Sequence, residues 1–335
     1  MPLLRNLGLA AIVLVAALGV TDVAFLRAVP SPPRLGTNFS SAFLHLEIER
    51  LRREEPRTVF LGDSVLWGYA LRPSESAPAL LAADGLRDAN FAFEGGSPAN
   101  TYAMLELLLA SGVRPARVVF NVNQKTFNVA DSAYATLHPS VAPLARPLLR
   151  PADAALLEPG AADDSLSAQL DREAGALWHL YAMRADVREM LFGDIDAAHA
   201  LHAALEVASG AKARADARDA PTTERFEGSY DLAPLGTGNV SVHYLALTVA
   251  ALRDAHIPAV AILTPTNHAL LHPYVDTPQY AGNLAYVRRL IERSGARVVD
   301  LDRAFAPAEF LDNDHLTAAG NRRLARRLAT ELGDP

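Results

Sequence analysis

A serine stands at the junction of two predicted elements, in the sequence VFLGDSVLWG at residues 59–68. The apolar residues before it predict a short buried strand, and a helical pattern begins directly after Gly62-Asp63-Ser64. In an open α/β sheet this edge binds ligands, and free N–H groups at a helix start favour negative charge. Because serine attack creates an oxyanion, the position suits Ser64 as a nucleophile. The alternative is that Gly-Asp-Ser is an ordinary turn.

A histidine and two acids near the C-terminus are of the types that activate a serine. They lie in FLDNDHLT at residues 310–317. Histidine acts as the base when a carboxylate holds its Nδ1–H and orients the ring. Asp312, three residues before His315, can curl back on one turn to do this, whereas Asp314 is expected to point elsewhere. Two alternatives stay open. Either acid can merely cap the next helix, or the segment binds calcium, which the missing EF-hand glycine and distal glutamate disfavour.

Stabilising an oxyanion takes two or three hydrogen-bond donors near the serine. The candidates are the Ser64 backbone N–H, a glycine N–H at Gly95 or Gly96, and the Asn123 side chain. The two glycines and the asparagine each follow a predicted strand, so they belong to the same edge as Ser64. Taken singly, a Gly-Gly turn is more often conformational, and a strand-end asparagine is usually a turn former.

Strand and helix patterns alternate through most of the chain and predict a doubly wound parallel sheet of five strands. The predicted strands are 58–61, 89–93, 117–123, 259–263 and 297–301. The predicted helices are 40–55, one through 102–108, 242–255, 284–291 and 317–332.

Between residues 127 and 238 this alternation fails. Prolines interrupt residues 139–159, helical patterns cover 166–191 and 195–213, and a charged stretch follows at 212–225. We predict a helical insertion that leaves from the Ser64 edge, either as a lid or partner surface or as an extra packing layer. The predicted division is 1–28 signal anchor or signal peptide, 29–55 tether and amphipathic helix, 56–128 first part of the core, 129–238 insertion, and 239–335 second part.

The N-terminus carries an export pattern. Arg5 precedes an uncharged run at 7–20, and apolar residues extend it to Leu26 past Asp22. Fourteen residues suit a signal peptide, whereas 7–26 has the length of a membrane span. The retained anchor is favoured over cleavage. In both cases the rest of the chain faces the periplasm, by the positive-inside rule.

Composition excludes several classes of function. The net charge of −7 disfavours a nucleic-acid partner, and the absence of cysteine removes disulfides, thiolate catalysis and cysteine metal sites. No phosphate-cradling glycine loop is present, which counts against a nucleotide-binding protein. His199 and His202 lack a carboxylate pattern, so no metal is predicted.

Four sequence blocks together resemble the SGNH, or GDSL, hydrolase superfamily. In chain order they are residues 62–64, residues 90–95, Asn123, and the Asp312-x-x-His315 block with its following Leu-Thr and Gly320. The resemblance covers roughly 56–127 and 240–333. It implies a flavodoxin-like three-layer α/β/α fold and a serine esterase without cofactor or metal.

The same resemblance implies roles for individual residues. Ser64 would be the nucleophile, His315 the base, and Asp312 the group that orients His315. The Ser64 and Gly95 N–H groups and the Asn123 side chain would hold the oxyanion.

One block departs from the family pattern. The third block is usually Gly-x-Asn-Asp, but residues 121–124 are Asn-Val-Asn-Gln, with Asn121 and Asn123 on the same side of the strand. This argues against the small secreted esterase branches. The anchor, the insertion and the loop 263–268 look more like the envelope-facing DltD-like or AlgX/AlgJ-like proteins, which work beside membrane-bound O-acyltransferases.

The sequence therefore predicts a membrane-tethered serine esterase or O-acyltransferase acting on acyl, preferably acetyl, esters of an envelope polysaccharide. Additional substrate-binding residues are expected near Ser64: Asp63, Trp67, Gly96, Asn121 and His268. The alternatives are a simple lipid or small-ester hydrolase, and a non-catalytic glycan-binding scaffold with the same fold.

Overall fold

The computed structural model describes residues 2–28, 31–54, 58–128, 130–158, 170, 173–175, 178–192, 221–230 and 232–333. The chain divides into two compact units. One comprises residues 1–32, 38–47 and 161–213, and the other comprises 33–37, 48–160 and 214–335. The second unit contains the sheet and every residue of the candidate site.

The sheet has five parallel strands in the order β2-β1-β3-β4-β5, which confirms the predicted α/β class. The strands are β1 Thr58–Leu61, β2 Asp88–Asn90, β3 Arg117–Val122, β4 Ala259–Leu263 and β5 Arg297–Asp300. In such an order the crevice beside β1 and β3 is where connections diverge and ligands bind. Ser64 follows β1 and Asn123 follows β3, so both lie at this crevice.

Strand β2 is shorter than predicted. Regular pairing between β2 and β1 ends at Asn90. Two backbone hydrogen bonds to the β1 segment continue beyond it, from Phe91 N–H to Phe60 O at 2.8 Å and from Phe93 N–H to Gly62 O at 3.2 Å. The extended segment 91–93 therefore delivers the Gly95-Gly96 turn to the end of β1.

The α-helices are Pro2–Ala28, Ser41–Glu54, Ser64–Trp67, Ala77–Ala83, Pro98–Ala110, Ala142–Ala145, Pro151–Ala154, His179–Ala182, Arg184–Phe192, Val240–Asp254, His268–Val275, Pro278–Arg293 and Ala318–Leu332. Short 3-10 helices span Pro73–Glu75, Gln124–Phe127, Ser132–Ala135, Arg146–Leu148, Thr223–Phe226 and Pro307–Glu309. Within the second unit, Pro98–Ala110 packs on Val240–Asp254, and Ala77–Ala83 packs on Ala318–Leu332. These two groups of helices form the outer layers of an α/β/α sandwich.

Side-chain caps fix where the principal helices begin. The hydroxyls of Ser97, Thr277 and Thr317 and the side-chain oxygen of Asn239 each accept a backbone N–H from the first turn. Each such cap contributes about 1 kcal/mol. The central strands β1, β3 and β4 are almost fully buried, as expected when helices cover both faces of a parallel sheet.

In the first unit, the N-terminal helix is joined to the insertion by its acidic residue. The Asp22 carboxylate accepts from Leu180 N–H at 2.7 Å and lies 2.9 Å from His179 Nδ1. Among the described residues, no helix combines the length and the apolar character that a membrane crossing requires. The predicted helix at 195–213, with His199 and His202, lies outside the described residues.

Candidate active site

The turn after β1 holds Ser64 through two specific local requirements. Gly62 has φ +140°, and a Cβ there would lie 1.8 Å from Asn121 Oδ1, so only glycine fits. Asp63 caps the next turn, because its Oδ1 accepts the Val65 N–H at 2.8 Å. The Ser64 side chain is thereby presented at the carboxyl end of β1.

The fourth sequence block brings a histidine and a carboxylate to this serine. His315 Nε2 lies 2.8 Å from Ser64 Oγ, and His315 Nδ1 lies 2.7 Å from Asp312 Oδ2. The other Asp312 oxygen accepts the backbone N–H groups of Asp314 and His315. With Nδ1 protonated, Nε2 accepts the Ser64 hydroxyl proton. This is the arrangement of a Ser-His-Asp triad.

The loop after β4 secures the triad loop from the other side. Asn267 N–H donates to Asn313 O at 2.8 Å, and its side-chain amide donates to Asp312 O at 2.9 Å. The next residue, His268, was predicted to bind substrate. Its two ring nitrogens instead lie 2.8 Å from Asp276 Oδ1 and 2.9 Å from Asp302 Oδ2, so the ring joins two loops of the protein.

The electrostatics of the triad match its geometry. Burial favours the neutral imidazole, but the charges of Asp314 and Asp312 outweigh it, so the pKa of His315 is raised; the Lys125 charge opposes this rise. Burial also disfavours the ionised Asp312, yet its contacts with His315 outweigh this and the pKa of Asp312 is lowered.

The backbone N–H groups predicted as oxyanion donors differ in whether they already have a hydrogen-bond partner. Among the described residues, the N–H groups of Ser64 and Gly95 make no hydrogen bond, whereas the Gly96 N–H donates to Phe93 O. Gly96 has a steric role, since a Cβ there would lie 2.3 Å from Gly62 O. The structure thus leaves two of the predicted oxyanion donors open.

Asn123 is placed differently from the prediction. Its side-chain amide donates one N–H to Asp63 Oδ2 at 3.1 Å and the other to Asp314 Oδ2 at 2.5 Å. An amide has only two such hydrogens, so in this arrangement none remains for an oxyanion. Asn121 likewise donates to Asp63 Oδ1 at 2.7 Å and accepts the Asp63 N–H at 3.0 Å. The side chains of Asp63 and Asn121 are therefore buried and hydrogen-bonded to each other.

Lys125 was not among the predicted site residues. Its Nζ lies 2.5 Å from Asp314 Oδ2, with the Asp314 side chain only 1% exposed. A signal was present, because Lys125 is one of only two lysines in a chain whose other basic residues are arginines. Burial would lower the pKa of Lys125, but Asp314 and Asp63 outweigh it and raise that pKa.

Two aromatic residues follow the nucleophile, and they differ in access. Trp67, predicted to bind substrate, is 3% exposed and donates its indole N–H to Leu35 O at 2.6 Å, so it belongs to the core. Tyr69 was not predicted. Its ring centroid lies 4.3 Å from that of His315, which makes it the aromatic neighbour of the catalytic base.

The acidic residues beside His315 form a cluster of potential cation ligands. Asp312, Asp314 and His315 offer ligand atoms within 4.8 Å of one another. These atoms already have protein partners. Asp312 Oδ2 contacts His315 Nδ1, and Asp314 Oδ2 is paired with the Lys125 ammonium. The chemistry of this donor set therefore gives no reason to place a metal ion.

No protein-family model and no curated protein matches the chain. Solved structures match at low similarity. One is a lipolytic protein of the G-D-S-L family from Desulfitobacterium hafniense DCB-2. The match has 11% sequence identity and a TM-score of 0.39, and it covers 82% of this chain and 98% of that chain. Another is described as an acylhydrolase from Bacteroides fragilis NCTC 9343, with 11% identity, 87% and 96% coverage and TM-score 0.43. A third is a catalytic mutant of an acetylxylan esterase from Geobacillus stearothermophilus, with 12% identity, 84% and 95% coverage and TM-score 0.40. At these values the likeness carries no argument about activity.

Proposed function

We propose that the chain is a serine esterase or acyltransferase of the SGNH type, with Ser64 as nucleophile. One observation carries the proposal: Ser64 Oγ, His315 and Asp312 are linked by contacts of 2.8 and 2.7 Å. These are hydrogen-bond distances for a nucleophile, its base and the group that orients the base.

In the acylation step, Ser64 Oγ bonds to the ester carbonyl carbon while His315 Nε2 takes the hydroxyl proton. The Ser64 and Gly95 N–H groups are the donors available to the resulting oxyanion. When the tetrahedral intermediate collapses, the carbon–oxygen bond to the leaving alkoxide breaks and His315 returns its proton to that oxygen. The product is an alcohol and an acyl-enzyme on Ser64.

Deacylation repeats the same sequence with a second nucleophile. His315 takes the proton of a water or of an acceptor hydroxyl, whose oxygen attacks the acyl carbon. The departing Ser64 Oγ then receives the proton from His315. Water yields hydrolysis, and a sugar hydroxyl yields transfer.

Active-site labelling tests this function. The purified chain should react with a fluorophosphonate probe, and Ser64→Ala should abolish the reaction. Ser74→Ala, which removes an exposed serine of the same unit, should label like the unaltered protein. Equal labelling of Ser64→Ala and the unaltered protein would exclude Ser64 as the nucleophile and leave a non-catalytic scaffold as the better interpretation.

We further propose that the substrate is an acyl ester, preferably acetyl, of a cell-envelope polysaccharide, and that a membrane-bound O-acyltransferase is its partner. The likeness of the N-terminal anchor, the insertion and the loop 263–268 to envelope-facing members supports this. Acetyl release from an acetylated oligosaccharide, measured with and without added deacetylated oligosaccharide, separates hydrolysis from transfer. Turnover of small chromogenic esters alone would support the simple esterase.

Residues 7–26 are proposed to direct export and to retain the protein at the inner membrane, facing the periplasm. The uncharged run behind Arg5 supports this. Fusing residues 1–40 to a reporter enzyme that is active only in the periplasm tests export. The N-terminal mass of the mature protein then distinguishes a retained anchor from cleavage.

A further inference from the structure

We propose that Asp314 is a second carboxylate serving His315, held in position by Lys125, so that the base of the triad works between two acids. This inference rests on the proposed function. It concerns the buried Asp314 and the partly buried Lys125, to which the four sequence blocks assign no role.

The position of the two Asp314 oxygens carries the argument. Oδ2 is held by Lys125 Nζ and by the Asn123 amide, each at 2.5 Å. Oδ1 is buried and lies 3.4 Å from His315 Nδ1, with no hydrogen-bond partner among the described residues. A buried carboxylate oxygen without a partner is costly, so its orientation toward the imidazole calls for a physical reason. The reason we infer is attraction to the charge that His315 acquires when it takes the serine proton.

Lys125 gives this acid its fixed position and moderates its effect. A guanidinium would present a wide planar fork, whereas an ammonium is a compact charge that fits beside Asp314 and Asn123. Two uncompensated carboxylates next to His315 would keep the ring protonated and unusable as a base. The lysine charge opposes that tendency and so keeps the pKa of His315 closer to neutral pH. General-base catalysis is most effective when the pKa of the base lies there.

Other groups face the same pair. From the turn after β1 comes Asp63, and from the insertion come Tyr134 and Tyr230. Burial, with Asp314 nearby, raises the pKa of Asp63. Burial likewise raises the pKa of Tyr134 to about 12 and that of Tyr230 well above its usual value. Tyr134 and Tyr230 therefore stay neutral over the range in which His315 titrates.

The test is the pH dependence of kcat/KM, whose acidic limb reports protonation of His315 in the free enzyme. Asp314→Asn keeps the shape and removes the charge. The limb should move to lower pH by about one unit or more, and plateau kcat should fall up to about tenfold, since one unit of pKa is a tenfold change in imidazolium stability. Asp153→Asn is the matched control. Asp153 is 2% exposed and paired with His243, but in a separate cluster, so this variant should keep the original profile.

A second variant covers the case in which Asp314→Asn fails to fold. Lys125→Met with Asp314→Leu removes the pair as a neutral unit, a change that buried ion pairs often tolerate. The acidic limb should again move to lower pH, because the Asp314 charge acts on the pKa of His315 more strongly than the opposing Lys125 charge does. A folded, active variant of either kind with an unmoved limb overturns the inference. Failure of the unaltered protein to label at Ser64 overturns the proposed function instead.

Discussion

Replacing Arg34 should loosen the segment that follows the nucleophile. Arg34 is 4% exposed, and its guanidinium donates to the carbonyls of Trp67, Gly68 and Leu71 at 2.9, 2.6 and 3.0 Å. It also lies 3.8 Å from the centroid of the Trp67 ring. One side chain therefore holds the C-terminal end of the short Ser64 helix and the loop behind it.

The cost of losing this guanidinium follows from its bonds. A hydrogen bond from a charged donor contributes about 1.5–3 kcal/mol, and a desolvated cation–π contact about 2 kcal/mol. The contributions do not add fully, because the loop relaxes and removing a buried charge recovers its desolvation energy. We expect Arg34→Met to destabilise the protein by about 4 kcal/mol, which corresponds to a fall in Tm of roughly 8–16 °C.

The effect should also reach catalysis. Gly68 and Tyr69 N–H both donate to Ser64 O at 3.0 Å, and the Tyr69 ring packs beside His315. Urea or thermal unfolding measures the first effect, and the rate of fluorophosphonate labelling well below Tm measures the second. Arg34→Lys should be intermediate, since one ammonium cannot reach all three carbonyls. Arg322→Met, at an exposed arginine, is the control. If Arg34→Met loses under 1 kcal/mol and labels normally, this reasoning is refuted.

Three other changes have defined outcomes. Gly62→Ala should cost about 3 kcal/mol or more by thermal unfolding, because its Cβ meets Asn121 Oδ1 at a positive φ; Gly282→Ala, in open helix space, should instead stabilise by about 0.5–1 kcal/mol. Asp312→Asn should lower kcat/KM about 10³- to 10⁴-fold on a chromogenic ester, because the amide favours the wrong imidazole tautomer. Burial opposes ionisation of His268, but its two carboxylate partners outweigh this and raise its pKa. The contribution of His268 to stability is therefore full below about pH 6.5 and is lost as pH rises through the raised pKa. Between pH 6 and 9, Tm should therefore fall less in His268→Gln than in the unaltered protein.

The fold was largely predictable because its signals are local. Continuous β-branched runs and polar strand ends predict buried parallel strands, and serine, threonine and asparagine caps predict helix starts. The clearest error in a strand boundary, in β2, arose because residues 91–93 are apolar and extended but leave the ladder. Periodicity detects an extended apolar segment, whereas the ladder also depends on the neighbouring strand.

The triad was predictable because its spacing is encoded in the chain. Asp312 and His315 are three residues apart, and one turn brings them together. The roles of Asn123 and Trp67 were not predictable in the same way. Their partners, Asp314 and Leu35, are distant in sequence, so only the folded chain shows that their donors are already taken.

The unusual third block and the acidic fourth block now form one arrangement. Asn121, where the family pattern has glycine, fills the space beside Gly62 and gives Asp63 a side-chain partner. Asn123 then joins Asp63 to Asp314, and Lys125 supplies the positive charge that two buried acids require. Changing any one of these residues leaves a buried charge or amide unpaired. Such a change should therefore destabilise the protein more than a substitution at an exposed position nearby. Asn121, Asn123 and Lys125 are therefore best understood as one coupled set of residues around Asp63 and Asp314.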